Sequence, residues 1–158
     1  MKVESLRLKI KSTFTVKPLV ICCLLLTIVG CATVKQKIQG HNDVDPQINN
    51  IVWEITSFKG RALHAGDFSA GIPSITFNMD EGKISGNDGC NSFMGLATYR
   101  GHTIKTGAIA TTKMACPGGI QDDFYATIGS DALTYHLENG VLRLYVNDAE
   151  VMALKERE

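Results

Sequence analysis

Along residues 51–154, short runs of alternating apolar and polar positions recur between clusters of Gly, Asn and Asp. A spacing of about eight to twelve residues between such runs is typical of all-β barrels and sandwiches. Residues 51–58 open the series, with Trp53 and Ile55 on one face. Residues 74–79 and 83–86 flank Asp80-Glu81-Gly82, where Gly82 can take the positive φ of a tight hairpin. Residues 93–99 and 103–106 flank Arg100-Gly101 in the same way, and 133–137 and 141–146 alternate about Asn139-Gly140, a pair suited to a type I′ turn. Residues 151–154, after Asn147-Asp148, close the sheet. One segment has another period: Ile120, Phe124 and Ile128 recur at helical spacing after Pro117-Gly118-Gly119. They predict a helix of about ten residues, with Asp122 and Asp123 near the positive end of its dipole and its stripe packed as core on the sheet. The expected fold for residues 50–158 is mainly β, with one α-helix.

The N-terminal segment follows a different pattern. Five basic residues and one acidic residue precede an apolar run over 19–29, which ends at Ile28-Val29-Gly30-Cys31. These are the parts of a signal peptide. As a helix, the stretch 18–30 would reach roughly 20 Å, short of the roughly 30 Å hydrocarbon core. Large Ile28 and Val29 fit poorly with an ordinary secretory cleavage site. Ile28-Val29-Gly30-Cys31 resembles the bacterial lipobox, which implies diacylglyceryl transfer to Cys31 and cleavage before it. Residues 1–30 are therefore expected to be removed. Cys22 and Cys23 leave with them. The stretch 31–49, polar and without helical or strand periodicity, reads as a flexible tether between the lipidated Cys31 and the domain. The implied location is the cell envelope. Ala32 after the cysteine leans toward the outer membrane, facing the periplasm, in a cell that has one.

The chain is neutral overall, but after Cys31 it carries 11 basic and 15 acidic residues. A weakly acidic domain without Lys/Arg clusters offers no electrostatic footprint for nucleic acid. Metal ligation is poorly supported, because no CxxC, HxxxH or second ligand pair occurs. No cofactor is expected.

With Cys31 acylated, Cys90 and Cys116 remain, 26 positions apart, as a pair in an exported domain. A disulfide is the natural reading. Two buried thiols, or a nucleophile activated by a histidine, are the alternatives. The candidate bases, His41, His64, His102 and His136, have no sequence context that favours one, and alternation puts His136 on the solvent face of its strand. Gly86-Asn87-Asp88-Gly89-Cys90-Asn91 lacks the Lys-Ser/Thr of a phosphate-binding loop and leads into another β-like run. Asp80 and Asp88 read as turn residues.

Ile84-Ser85-Gly86-Asn87-Asp88-Gly89-Cys90-Asn91-Ser92-Phe93-Met94-Gly95 is followed by Ile109-Ala110-Thr111-Thr112-Lys113-Met114-Ala115-Cys116. With Trp53 in the first run and Leu142-Arg143-Leu144-Tyr145 after the Asn139-Gly140 turn, these residues resemble the META domain family, which includes HslJ-like bacterial proteins. GCNxFxG and TxxMAC, in order, make the resemblance specific. It implies a small antiparallel, lipocalin-like β-barrel with one helix in exported or envelope proteins linked broadly to stress and envelope functions. It also implies a disulfide between Cys90 and Cys116, and it transfers no catalytic residue. The charged finish Lys155-Glu156-Arg157-Glu158 departs from the family pattern. The expected function is a non-enzymatic envelope lipoprotein that binds or supports an envelope partner, with the membrane held through its lipid. A carrier of a small apolar ligand inside the barrel is the alternative, with Phe77, Met79, Phe93, Met94 and Tyr99 as candidate contacts. A Cys-dependent enzyme is the least favoured reading.

Overall fold

In a computed structural model, which describes residues 42–116, 119–131 and 133–158, the alternating runs form a nine-stranded antiparallel sheet. The strands are β1 (Val52–Phe58), β2 (Arg61–Ala62), β3 (Ser74–Asn78), β4 (Lys83–Asn87), β5 (Ser92–Arg100), β6 (Thr103–Thr111), β7 (Leu133–Glu138), β8 (Val141–Val146) and β9 (Ala149–Glu156). Each pairs with the next around the sheet, and β1 pairs again with β9, so the sheet closes in a ring. The short β2 extends from the end of β1, outside that ring.

Hairpin turns set the register. Asn139 and Gly140 have φ of 53° and 75°, as a type I′ turn requires, and Glu138 faces Val141 across it. Asn147 and Asp148, also at positive φ, repeat the device between β8 and β9. Between β6 and β7 the ladder is short, with only Thr103 opposite Thr134 and Ile104 opposite Leu133. The helix α1 (Gln121–Ile128) belongs to this connection. It buries Phe124, Thr127 and Ile128, and the Thr106 hydroxyl of β6 donates to the Ile128 carbonyl at its C-terminal end. Phe124 and Ile128 are core residues, as their spacing predicts.

A ring of eight strands has an interior just wide enough for side chains to fill. Here Ile55, Ile75, Phe77, Met79, Ile84, Tyr99, Ile104, Leu133, Leu144 and Leu154 fill it, and all are buried. Phe77 and Tyr99 meet edge to face at 6.5 Å, and Phe93 meets Phe124 at 5.4 Å.

Several boundaries differ from the sequence reading. β6 runs on to Thr111, through Gly107, Ala108 and Ala110 that carry little β signal, because Ile109, Ala110 and Thr111 pair with Gly95, Met94 and Phe93 of β5 beyond a bulge in which Gly107 and Ala108 face Leu96. β9 continues through Lys155 and Glu156: their charged side chains stay exposed while the backbone pairs with β8 and β1. The expected tether, 31–49, is corrected over its last residues. Ile48 is fully buried, and its carbonyl accepts the Trp53 indole N–H. Asp43 donates its N–H to the Tyr99 carbonyl, and Asp45 accepts the Tyr135 hydroxyl. The polar residues of this arm satisfy groups at the end of the ring, so polarity without periodicity did not mean a solvated chain.

Candidate functional site

The two motif segments and α1 meet around one buried carboxylate. Asp88 follows β4 in the turn toward β5, and its side chain is inaccessible to solvent. Oδ1 accepts the backbone N–H groups of Cys90 (2.8 Å) and Asn91 (2.6 Å), and Oδ2 accepts the Tyr125 hydroxyl from α1 (2.7 Å). Burial, partly opposed by the Thr111 hydroxyl and reinforced by Asp88, pushes the Tyr125 phenol up to about 12. Asn91 accepts the Thr112 hydroxyl and the Met114 N–H on its Oδ1. The polar residues thus tie β4, β5, the end of β6 and α1 together.

The glycines of the first motif make this packing possible. A Cβ on Gly86 would lie 2.0 Å from the Ser74 carbonyl oxygen and 2.9 Å from the Phe93 ring, which stacks over that bare backbone. Gly89, at φ +91°, lies under the Phe68 ring. Asp88 is therefore more than a turn residue. The sequence marks it only through its position between these glycines, because the partner that defines its role, Tyr125, lies 37 positions away.

Cys90 and Cys116 are joined in the structure, with Cα atoms 6.1 Å apart. Cys90 is buried and Cys116 half-buried, with the Ser69 hydroxyl 3.0 Å from its sulfur. The remaining candidates do not gather there. His64 flanks a 3-10 turn, Ala65–Asp67. His102 and exposed His136 stack on each other at 5.8 Å beside Tyr135 and Tyr145. Asp80 accepts the Asn49 and Asn50 side-chain amides and so helps hold the N-terminal arm. Among the described residues, no three His, Cys, Asp or Glu side chains gather as metal ligands do. Cys31, His41 and the whole of 1–30 lie outside the described residues.

Of the five candidate ligand contacts, Phe77, Met79, Phe93 and Tyr99 are buried and Met94 is 67% exposed. An apolar groove of about 520 Å³ lies on the outside of the sheet, lined by Met94, Gly95 and Leu96 of β5, Ala108, Ile109 and Ala110 of β6, and Lys83 and Ser85 of β4. Met94 pairs with Ala110, Gly95 with Ile109 and Lys83 with Leu96. Small side chains keep the floor low while Met94 and Leu96 stand up from it. The sequence signal of this feature is Met94 and Leu96 at alternate outward positions of β5.

Two solved structures share the fold. An NMR structure of a protein from Burkholderia xenovorans superposes with a TM-score of 0.56 at 21% identity, covering 70% of this chain and 83% of its own. A second NMR structure has a TM-score of 0.57 at 20% identity, covering 72% and 95%. No curated protein matches the chain. The META domain profile matches residues 46–158, from the arm that packs on the end of the ring through both cysteine motifs to the charged C-terminus, and the chain belongs to the META domain family.

Proposed function

We propose that this protein is a lipid-anchored, non-catalytic module of the cell envelope, tethered through Cys31, that acts by contacts on the outer surface of its ring. The observation that carries the reading is the division of labour within the fold. The interior is filled by side chains, and the groups with reactive potential near the motifs, Asp88, Tyr125, Cys90 and Cys116, are engaged with one another or with the backbone. What remains open to a partner is the apolar groove on β4, β5 and β6. That groove also supports a second reading, a small apolar ligand carried on the outside of the ring instead of within it. Native mass spectrometry of protein extracted from its own cells tests this reading, and a reproducibly ligand-free mass removes it.

The anchor is tested by fractionation. Wild-type protein should stay with membranes through a high-salt wash, and Cys31→Ala exported behind an ordinary cleavable signal peptide in place of residues 1–30 should move to the soluble fraction with an unchanged circular dichroism spectrum. Persistent membrane attachment of that variant in high salt defeats the proposal. Acyl chains contribute about 0.8 kcal/mol per buried methylene, so several chains on one cysteine hold the protein against salt and dilution.

A further inference from the structure

We infer that the outer face of β4, β5 and β6 is the side of the domain that rests on the lipid bilayer. The inference builds on the lipid-anchor reading and gives the anchored domain an orientation, with the bilayer surface as the occupant of its groove.

The face is apolar where an outward strand face is usually polar. Met94 and Leu96 are 67% and 64% exposed, and Met114, just past the end of β6, is 57% exposed. Apolar residues gathered on one face in this way mark interaction sites, whereas single exposed ones do not. Methionine side chains, unbranched and polarisable, suit a partner without fixed shape.

The chain outside the described residues joins the domain beside one end of this face. The Asn42 amide lies against Gly82, 3.0 Å from where a Cβ there would stand, and its Oδ1 accepts the Tyr99 N–H of β5. Gly82 also abuts the Ala97 carbonyl, so the next residues along these two strands, Lys83 and Leu96, which line the groove, adjoin the point of attachment. Eleven peptide steps separate Cys31 from Asn42, and a chain of that length reaches at most about 40 Å when extended. A domain held beside one end of its apolar face by a leash of this length keeps that face within reach of the surface in which its acyl chains sit. The leash also supplies effective concentration, so a contact of a few side chains suffices. A free second copy has no such help, and stable interfaces between separate proteins need some 20 to 30 residues a side.

Exposed lysines fit the same occupant. Lys83 and Lys105 border the face and Lys113 follows β6, and long stems of this kind lie along apolar surface while their ammonium groups reach phosphates. Lys83 pairs with Glu81 at 2.6 Å and Lys105 with Asp131 at 3.0 Å. Exposed pairs of this type contribute little and exchange readily for headgroup phosphates.

The methionines provide the test. After removal of Met1 with the signal peptide, four remain: Met94 on the face, Met114 exposed past the end of β6, and Met79 and Met152 fully buried as internal controls. Full-length lipidated protein, labelled with ¹³C at the methionine methyls, would be placed one copy per nanodisc of phosphatidylethanolamine and phosphatidylglycerol doped with nitroxide-bearing lipid. The expected result is broadening of the Met94 methyl signal at least fivefold beyond Met79 and Met152. Leu96→Asp should cut the broadening of Met94 at least threefold with the protein still on the disc. Equal or absent broadening on a protein that co-purifies with the disc overturns the orientation and leaves the anchor standing. Broadening that needs two copies per disc overturns it in favour of self-association. A mass spectrum without acylated Cys31, in protein that washes off the disc, overturns both.

Discussion

Replacing Asp88 with Ala removes an acceptor that holds two backbone N–H groups and one phenol in a buried place. Hydrogen bonds to a charged group contribute about 1.5 to 3 kcal/mol each, and a buried donor left without a partner costs about 1 to 3 kcal/mol. Allowing for relaxation and some water access, the loss should reach about 3 to 5 kcal/mol, a large part of the roughly 5 to 15 kcal/mol that stabilises a typical domain. Tyr125→Phe removes only the hydroxyl and should cost about 1.5 kcal/mol. In an Asp88→Ala background the Tyr125 hydroxyl keeps Thr111 as its partner, so the same change there should cost only about 0.5 kcal/mol, giving a coupling of about 1 kcal/mol. Urea unfolding of the oxidised mature chain carrying Cys31→Ala, followed by the fluorescence of Trp53, the single tryptophan, measures all four corners of the cycle. The midpoints should move while the slope stays constant. An Asp88→Ala loss under about 1 kcal/mol, or additivity within about 0.3 kcal/mol, would show that the carboxylate does not organise this junction.

Opening the Cys90 to Cys116 bond, which closes a loop of 26 positions, should lower stability by about 3.5 kcal/mol on the chain-entropy account, read as the shift in urea midpoint on adding reductant. An unmoved midpoint with two titratable thiols would contradict it. Gly86→Ala, whose Cβ would meet the Ser74 carbonyl and the Phe93 ring, should destabilise by about 2 kcal/mol or more, whereas Gly66→Ala, with open space around it, should stay within about 0.5 kcal/mol. Similar midpoints for the two variants would refute the packing argument. Tyr99, Tyr125 and Tyr135 all have phenols raised above their ordinary value, chiefly by burial. Their contribution is complete below about pH 10, the unfolded value, and is lost as pH climbs through the folded value, about 12 for Tyr125. The urea midpoint should therefore fall from about pH 10 upward, in step with tyrosinate absorbance, and a flat midpoint across that interval would exclude the linkage.

Much of the fold was legible because its determinants are local. Alternation about Asn139-Gly140 locates β7 and β8, since both turn residues need positive φ and few residue pairs accept it. The 3.6-residue spacing of Ile120, Phe124 and Ile128 likewise identifies α1 and its buried stripe. Long-range pairing decided the rest. Residues 107–111 became strand because β5 lay opposite them, 109–111 pairing with it beyond the bulge at 107–108, and Ile48 became core because its carbonyl takes the Trp53 indole and its side chain closes the end of the ring. Asp88 acquired its role from Tyr125, and Met94 and Leu96 became one surface with Ala108 and Ala110 only when the ladder set them side by side. Taken by itself, the sequence determined the β class, the single helix and membership of the family, all of which follow from periodicity and motif order. The closure of the ring, the buried polar junction and the outer groove depend on which distant residues meet, and only the tertiary structure decided those meetings.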